Sequence, residues 1–182
     1  MRPFKKTIYE YKTFQIKGQL TINPDIEGLL FCARALSSNR NDKRKIFNHL
    51  YVKGNFIVGT NGARLHEYKL KERIPNGFYA VLVKNKRHVV LCQEKIIDEY
   101  PKWKSLFPNK TQLIDTENIT IDKVNFDRTM YQLNNISKFP VNISFIKDLE
   151  DFMQLHFIES KDWLYFQGQG TNTRAIIMGI CE

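Results

Sequence analysis

Apolar and polar positions alternate with a period of two along much of this chain, and the breaks in that alternation place its helices. The clearest stretch is Phe56-Ile57-Val58-Gly59-Thr60, followed after Asn61-Gly62 by Ala63-Arg64-Leu65-His66-Glu67-Tyr68-Lys69-Leu70. An apolar run, an Asn-Gly pair that tolerates positive φ and a returning run predict a β-hairpin. Thr13 to Leu20 alternates through Phe14, Ile16, Gly18 and Leu20 after a short basic lead, and predicts a strand. A further strand is expected near Phe47 to Lys53. Phe78 to Val83 and Val89 to Gln93 predict a second hairpin, preceded by the turn Pro75-Asn76-Gly77 and joined through Lys84-Asn85-Lys86-Arg87. Leu155 to Ser160, Trp163 to Gln167 and Thr173 to Met178 predict a closing meander, with its last turn at Gly168-Gln169-Gly170 and Asn172.

Three segments have helical spacing instead. Asn23-Pro24 reads as an Asn cap with proline at the first helical position, with Asp25 and Glu27 complementing the dipole. Ile26, Leu29, Leu30, Ala33 and Leu36 then form one apolar face. A second helix is expected over Phe126 to Ile136, closed by Pro140. A third, short helix is expected over Lys147 to Gln154 with Leu149, Phe152 and Met153 inward, after a strand at Val141 to Phe145. Ile119 to Ile121 reads as a short strand, and Tyr100 to Pro108, bounded by prolines, as an irregular extended segment. The order strand, helix, several antiparallel strands therefore occurs twice, from about Thr13 and from about Val141.

Charge divides the chain unevenly. Its 182 residues carry a net +9, but residues 1–108 hold 21 Lys/Arg against 9 Asp/Glu, whereas residues 109–182 hold 7 against 10. The excess predicts one basic surface facing a polyanion, most concentrated at Arg40-Asn41-Asp42-Lys43-Arg44-Lys45. The alternative is a solvated lysine-rich face. No apolar run is long enough to span a bilayer, and Met1 to Lys6 lacks the apolar stretch of a signal peptide. Cys32, Cys92 and Cys181 are odd in number and widely spaced, so a cytoplasmic location is expected.

Four stretches, in order, resemble one family. Thr60-Asn61-Gly62-Ala63-Arg64-Leu65 resembles the Ala-Thr-Asp-Gly-His-Arg-Leu turn of the bacterial DNA sliding clamp, the beta subunit of DNA polymerase III. Tyr100-Pro101-Lys102-Trp103-Lys104-Ser105-Leu106-Phe107-Pro108 resembles that family's Phe-Pro-Asp-Tyr-Arg-Arg-Val-Leu-Pro linker. Asn142 to Phe152 resembles the first strand and helix of its last half-domain, and Ala175-Ile176-Ile177-Met178 its Tyr-Val-Val-Met-Pro-Met ending. Asn61 stands where the family has Asp, Ala63 where it has His, and Gly179 where it has Pro.

The resemblance implies an α+β DNA-clamp (processivity) fold: two β-α-β-β-β half-repeats with antiparallel sheets and helices on one face. It implies one clamp-like domain over 1–182, with half-repeats at about 13–108 and 141–182 and a divergent connector at 109–140. It implies a non-catalytic protein, without metal or cofactor, that holds double-stranded DNA as a homo-oligomer and docks replication or repair proteins such as a DNA polymerase. The implied DNA contacts are Arg34, Arg40, Lys43, Arg44, Lys45, Arg128 and Lys138, binding phosphates without base identity. The implied pocket for a short linear peptide comprises Thr60, Arg64, Leu65, Pro101, Leu106, Ile176 and Met178. The plainer reading of Leu65, Ile176 and Met178 is ordinary core.

Other chemistry has weaker support. His49, His66, His88 and His156 lie on separate elements without ligand spacing for zinc. Asp148, Glu150 and Asp151 read as a solvated helix face, with a metal-dependent nuclease as the alternative. Gly168-Gln169-Gly170 precedes a strand, unlike a phosphate-binding loop. A clamp-fold adaptor or decoy that docks peptides without encircling DNA is the second expectation, and a divergent nucleic-acid-processing enzyme the third.

Overall fold

The computed structural model describes residues 6–12, 14–16, 19–21, 23–39, 43–108, 113–114, 119–137, 139–158, 163–169 and 172–179. Within them the alternating segments become strands β1 (Ile8–Lys12), β2 (Phe14–Ile16), β3 (Gln19–Thr21), β4 (Leu50–Lys53), β5 (Phe56–Thr60), β6 (Arg64–Lys69), β7 (Gly77–Asn85) and β8 (His88–Glu94). They continue as β9 (Leu113–Ile114), β10 (Gln154–Ile158), β11 (Trp163–Gln167) and β12 (Thr173–Met178). Ten of them form one antiparallel sheet in the order β1-β8-β7-β4-β5-β6-β12-β11-β10-β9, while β2 and β3 pair separately. The sheet is continuous because β12 pairs with β6, with Ile176 opposite Leu65 and Arg174 opposite Glu67.

Period-two alternation sorts the side chains onto two faces. Ile57, Tyr68, Leu164, Phe166, Ala175 and Ile177 face one core, which also holds Ile26, Leu29, Phe31, Leu133, Ile146 and Leu149. Their strand neighbours Val58, Leu65, Tyr165 and Ile176 face the opposite side, where they meet Trp103 and Phe107. The helices α1 (Ile26–Arg34), α2 (Phe126–Ile136) and α3 (Ile143–Lys147) therefore cover one face, and the proline-bounded linker covers the other. Helix α1 lies tightly on the sheet: a Cβ on Gly59 would stand 2.1 Å from the Cys32 carbonyl oxygen. No helix among the described residues is long and apolar enough to cross a membrane.

Several expectations are corrected. The basic lead contains β1, whose Tyr9 and Tyr11 pack toward the core. The described residues of the strand expected over Thr13 to Leu20 form two strands, β2 and β3, paired antiparallel. Phe47 lies in a 3-10 turn (Lys45–Asn48) ahead of β4. Asn23 does not cap α1 directly; its side chain accepts from the Asp25 N–H at 2.9 Å, and the helix begins at Ile26. Asp25 does not simply complement the dipole. It is fully buried and accepts from the Tyr68 hydroxyl and the Lys71 and Glu72 N–H groups at 2.9, 2.9 and 3.2 Å.

In the second half, the strand expected at Val141 to Phe145 is α3. Asn142 accepts from the Ser144 N–H at 3.0 Å, so its local cap prevails over the alternation of Val141, Ile143 and Phe145. The helix expected over Lys147 to Gln154 is a loop in which Leu149 and Met153 are buried, as expected of them. Phe152, expected inward, is 64% exposed at φ 59°. Ile119 to Ile121 contributes one bridge, Thr120 to Gln154. The segment 109–140 holds β9, which pairs with β10, and α2, whose Leu133 enters the shared core.

Candidate functional site

The β5–β6 turn is built from its own side chains. Gly62 takes φ +93°, which favours glycine. The Asn61 side-chain oxygen accepts from the Ala63 and Arg64 N–H groups at 3.1 and 3.0 Å, and Thr60 Oγ1 donates to the Arg64 carbonyl at 2.6 Å while accepting from the Gly62 N–H at 3.1 Å. An Asp at position 61 would accept the same two bonds, so Asn61 preserves the turn that the sequence resembles.

The linker approaches this turn on the sheet face away from the helices. Pro101 precedes a 3-10 turn (Trp103–Leu106) that ends on Leu106 and whose Trp103 is buried. Tyr100 stacks on Tyr51 with ring centroids 4.6 Å apart, and burial pushes its hydroxyl pKa up. On the far side of the turn, β12 brings up Ile176 and Met178; the Met178 N–H donates to the Ala63 carbonyl at 2.9 Å.

These three segments enclose a pocket of about 250 Å³. All seven expected residues line it: Thr60, Arg64, Leu65, Pro101, Leu106, Ile176 and Met178. Phe47, Gly62 and Tyr100 complete the lining. Gly62 and Tyr100 belong to the resembling motifs, but nothing in the sequence marks Phe47. Leu65 and Ile176 are also core, as the plainer reading held, whereas Met178 is only partly buried.

Arg64 lies in the wall, but its charge is already engaged. Its guanidinium donates to the Asp148 carboxylate and to the Arg34 carbonyl, and lies 4.5 Å from the centre of the Phe145 ring. It thus braces the pocket against the end of α1 and the residue after α3.

The expected DNA contacts are dispersed. Arg34 is exposed at the end of α1 and donates to the Asp148 carbonyl at 3.3 Å, and Arg128 is exposed on α2. Lys43, Arg44 and Lys45 are exposed where the chain enters the Lys45–Asn48 3-10 turn; Arg44 stacks over Phe47, a pocket residue, at 4.4 Å. Arg40 and Lys138 lie outside the described residues. The helical face also presents Lys123 and Lys147, together with Glu27 and Asp127, so its charge is mixed.

The acidic group following α3 has structural partners. Asp148 pairs with Arg64, Glu150 accepts from the Thr173 hydroxyl at 2.6 Å, and Asp151 accepts from the Lys123 N–H at 3.1 Å. Burial pushes the Glu150 pKa up. Among the described residues, no group of His, Cys, Asp and Glu gathers to hold a metal ion.

An open antiparallel sheet with helices on one face, and a linker crossing the other to meet a turn and a late strand, is the DNA-clamp fold. Comparison with solved structures supports this directly. The chain superposes on DNA polymerase III subunit beta of Borrelia burgdorferi, solved with a natural product. The TM-score is 0.56 and the identity 13%, over 96% of this chain and 64% of that one. It is similar to the Helicobacter pylori beta clamp bound to a DNA ligase peptide, with TM-score 0.55 and 12% identity over 100% of this chain and 68% of that one. The Thermotoga maritima beta subunit gives TM-score 0.56 and 9% identity, with the same coverage. The chain thus spans less than two thirds of the Borrelia protein and about two thirds of the others. No protein-family model matches the sequence, and no curated protein matches it.

Proposed function

We propose that this protein is a small, non-catalytic, sliding-clamp-like docking platform. Its pocket takes a short linear peptide from a DNA polymerase or another replication or repair protein, and its basic surface holds double-stranded DNA within a homo-oligomer. The observation that carries this reading is the convergence of three segments, distant in sequence, on one apolar pocket. Apolar walls with a flexible Met178 suit Leu and Phe anchors. The ligase peptide on the Helicobacter pylori clamp supports a peptide as the occupant.

The test combines two measurements on the full chain. A labelled synthetic peptide with Leu and Phe anchors is titrated by anisotropy, and solution mass is measured by light scattering with and without duplex DNA. Saturable peptide binding and an oligomer whose DNA affinity falls log-linearly with salt support the full reading. Failure to bind the peptide would sink the docking role.

The mixed charge of the helical face favours a second reading, a clamp-fold adaptor that docks peptides without encircling DNA. A monomer that binds the peptide and ignores duplex DNA would establish it. Turnover of nucleic acid that depends on a metal and is abolished by Asp151→Ala would instead establish an enzyme.

A further inference from the structure

We propose that Glu67 is a positioning residue for the linker wall of the pocket: it holds Trp103, and so fixes where Pro101 and Leu106 stand. The inference rests on the peptide-docking reading and adds the residue that keeps one wall in place. Glu67 itself is not part of the pocket lining.

The geometry is specific. Glu67 is 1% exposed, in the middle of β6, on the face covered by the linker. Its Oε2 accepts the Trp103 indole N–H at 2.7 Å. Its Oε1 accepts from Arg174 Nε at 2.9 Å and from a terminal nitrogen of the same guanidinium. Arg174 stands opposite Glu67 on β12 and lies 4.1 Å from the centre of the Phe107 ring. One carboxylate, at the seam where β6 meets β12, therefore reaches Trp103 directly and Phe107 through Arg174.

The linker has little internal means of holding this position. Its 3-10 turn has no side-chain cap, and its backbone bonds among the described residues are local: Trp103 N–H to the Pro101 carbonyl at 2.7 Å and Ser105 N–H to the Lys102 carbonyl at 3.2 Å. These backbone bonds close the turn on itself and do not reach the sheet. Ring packing against Tyr51 and Tyr165 is adaptable, whereas a buried hydrogen bond to a carboxylate fixes direction and depth. A buried carboxylate is costly to desolvate, and a hydrophobic residue would fill this position without that cost. The return is preorganisation: a wall already in place spares an incoming peptide the entropy of ordering it.

The experiment uses the full chain with Trp103→Phe, which keeps a ring but removes the N–H, and Glu67→Gln, which removes the charge at nearly constant size. Two readouts are taken: affinity for the labelled Leu/Phe peptide, and hydrogen exchange of the amides between 102 and 107. Each variant is expected to weaken peptide binding about tenfold or more and to accelerate exchange in the linker, with α1 and β5 protected as in the parent. The double variant is expected to lose less than the sum of the two single losses, because Glu67→Gln leaves one acceptor oxygen where Trp103 and Arg174 need two, and so acts on the same link as Trp103→Phe. Unchanged linker exchange in both variants overturns the proposal, whether or not any peptide binds. Parent-like affinity of both variants also overturns it and leaves the docking reading intact. If the parent protein binds no peptide, the docking reading falls, and linker exchange alone decides whether Glu67 holds Trp103.

Discussion

His66 lies almost flat against Phe31, with ring centroids 4.3 Å apart and planes 14° from parallel, and its Nδ1–H donates to the Phe31 carbonyl at 2.8 Å. The pair joins α1 to the centre of the sheet. Burial, with Arg64 and Arg34 nearby, pushes the His66 pKa down to about 3 from 6.5. The folded state therefore excludes a proton that the unfolded chain takes up below about pH 6.5. Stability from a neutral His66 is complete above that pH and is lost as pH falls toward 3, by an amount on the order of 4 kcal/mol. Urea denaturation at pH 7 and pH 4 should show this loss, and His66→Phe should flatten much of the slope. Glu94 and Glu10, whose pKa values are lowered, retain their own share of it.

Asp25 should be among the least replaceable charged residues. Asp25→Ala strands the Lys71 and Glu72 N–H groups at the entrance to α1 and leaves the Tyr68 hydroxyl only the Pro24 carbonyl, at 3.3 Å. A loss of about 3 kcal/mol is expected from unsatisfied buried donors, measured as a lower denaturation midpoint.

At the β5–β6 turn, Asn61→Asp should leave stability and peptide binding near parental values, because a carboxylate oxygen accepts the same two N–H groups. Asn61→Ala removes both bonds and should cost about 1–2 kcal/mol. The same change should weaken peptide binding by displacing Thr60 and Arg64. Parent-like binding by a destabilised Asn61→Ala variant would argue that the pocket does not depend on this turn.

The pocket and the basic loop should be separable. Leu106→Ala with Met178→Ala is expected to weaken the peptide complex about tenfold or more, with little effect on DNA. Lys43→Glu with Lys45→Glu should lower duplex affinity and reduce its salt dependence while sparing the peptide. Arg44 is left intact because it packs on Phe47, a pocket residue. A single defect shared by both pairs would show that the two surfaces are one.

Gly59 tests how closely α1 rests on the sheet. Gly59→Ala drives a methyl group into the Cys32 carbonyl, with backbone on both sides of the contact. A loss of about 1–3 kcal/mol or more is expected in thermal or urea unfolding. A neutral result would mean that α1 can lift away at little expense.

Some of this was legible in the sequence for definite reasons. The β5–β6 and β7–β8 hairpins carry their turn residues locally, and α2 is long enough for helical spacing to register. The short α3 is not, and Val141, Ile143 and Phe145 copy a strand. The pocket residues were readable through their motifs, whereas Glu67 carried no signal and Asp25 read only as a dipole complement, because their partners, Trp103, Arg174 and Tyr68, are remote in sequence. For the same reason, nothing local announced that Arg44 would pack on Phe47, a pocket residue.

The pairing of β6 with β12 also bears on how the chain reaches this state. Glu67 and Arg174 are 107 residues apart, yet they meet in the middle of the sheet. Closing so long a loop carries an entropic penalty before any contact offsets it, so this seam is expected to form late and to limit the folding rate. Until it forms, β6 exposes an open edge beside the half-built pocket, and that edge is where misassembly between chains would begin.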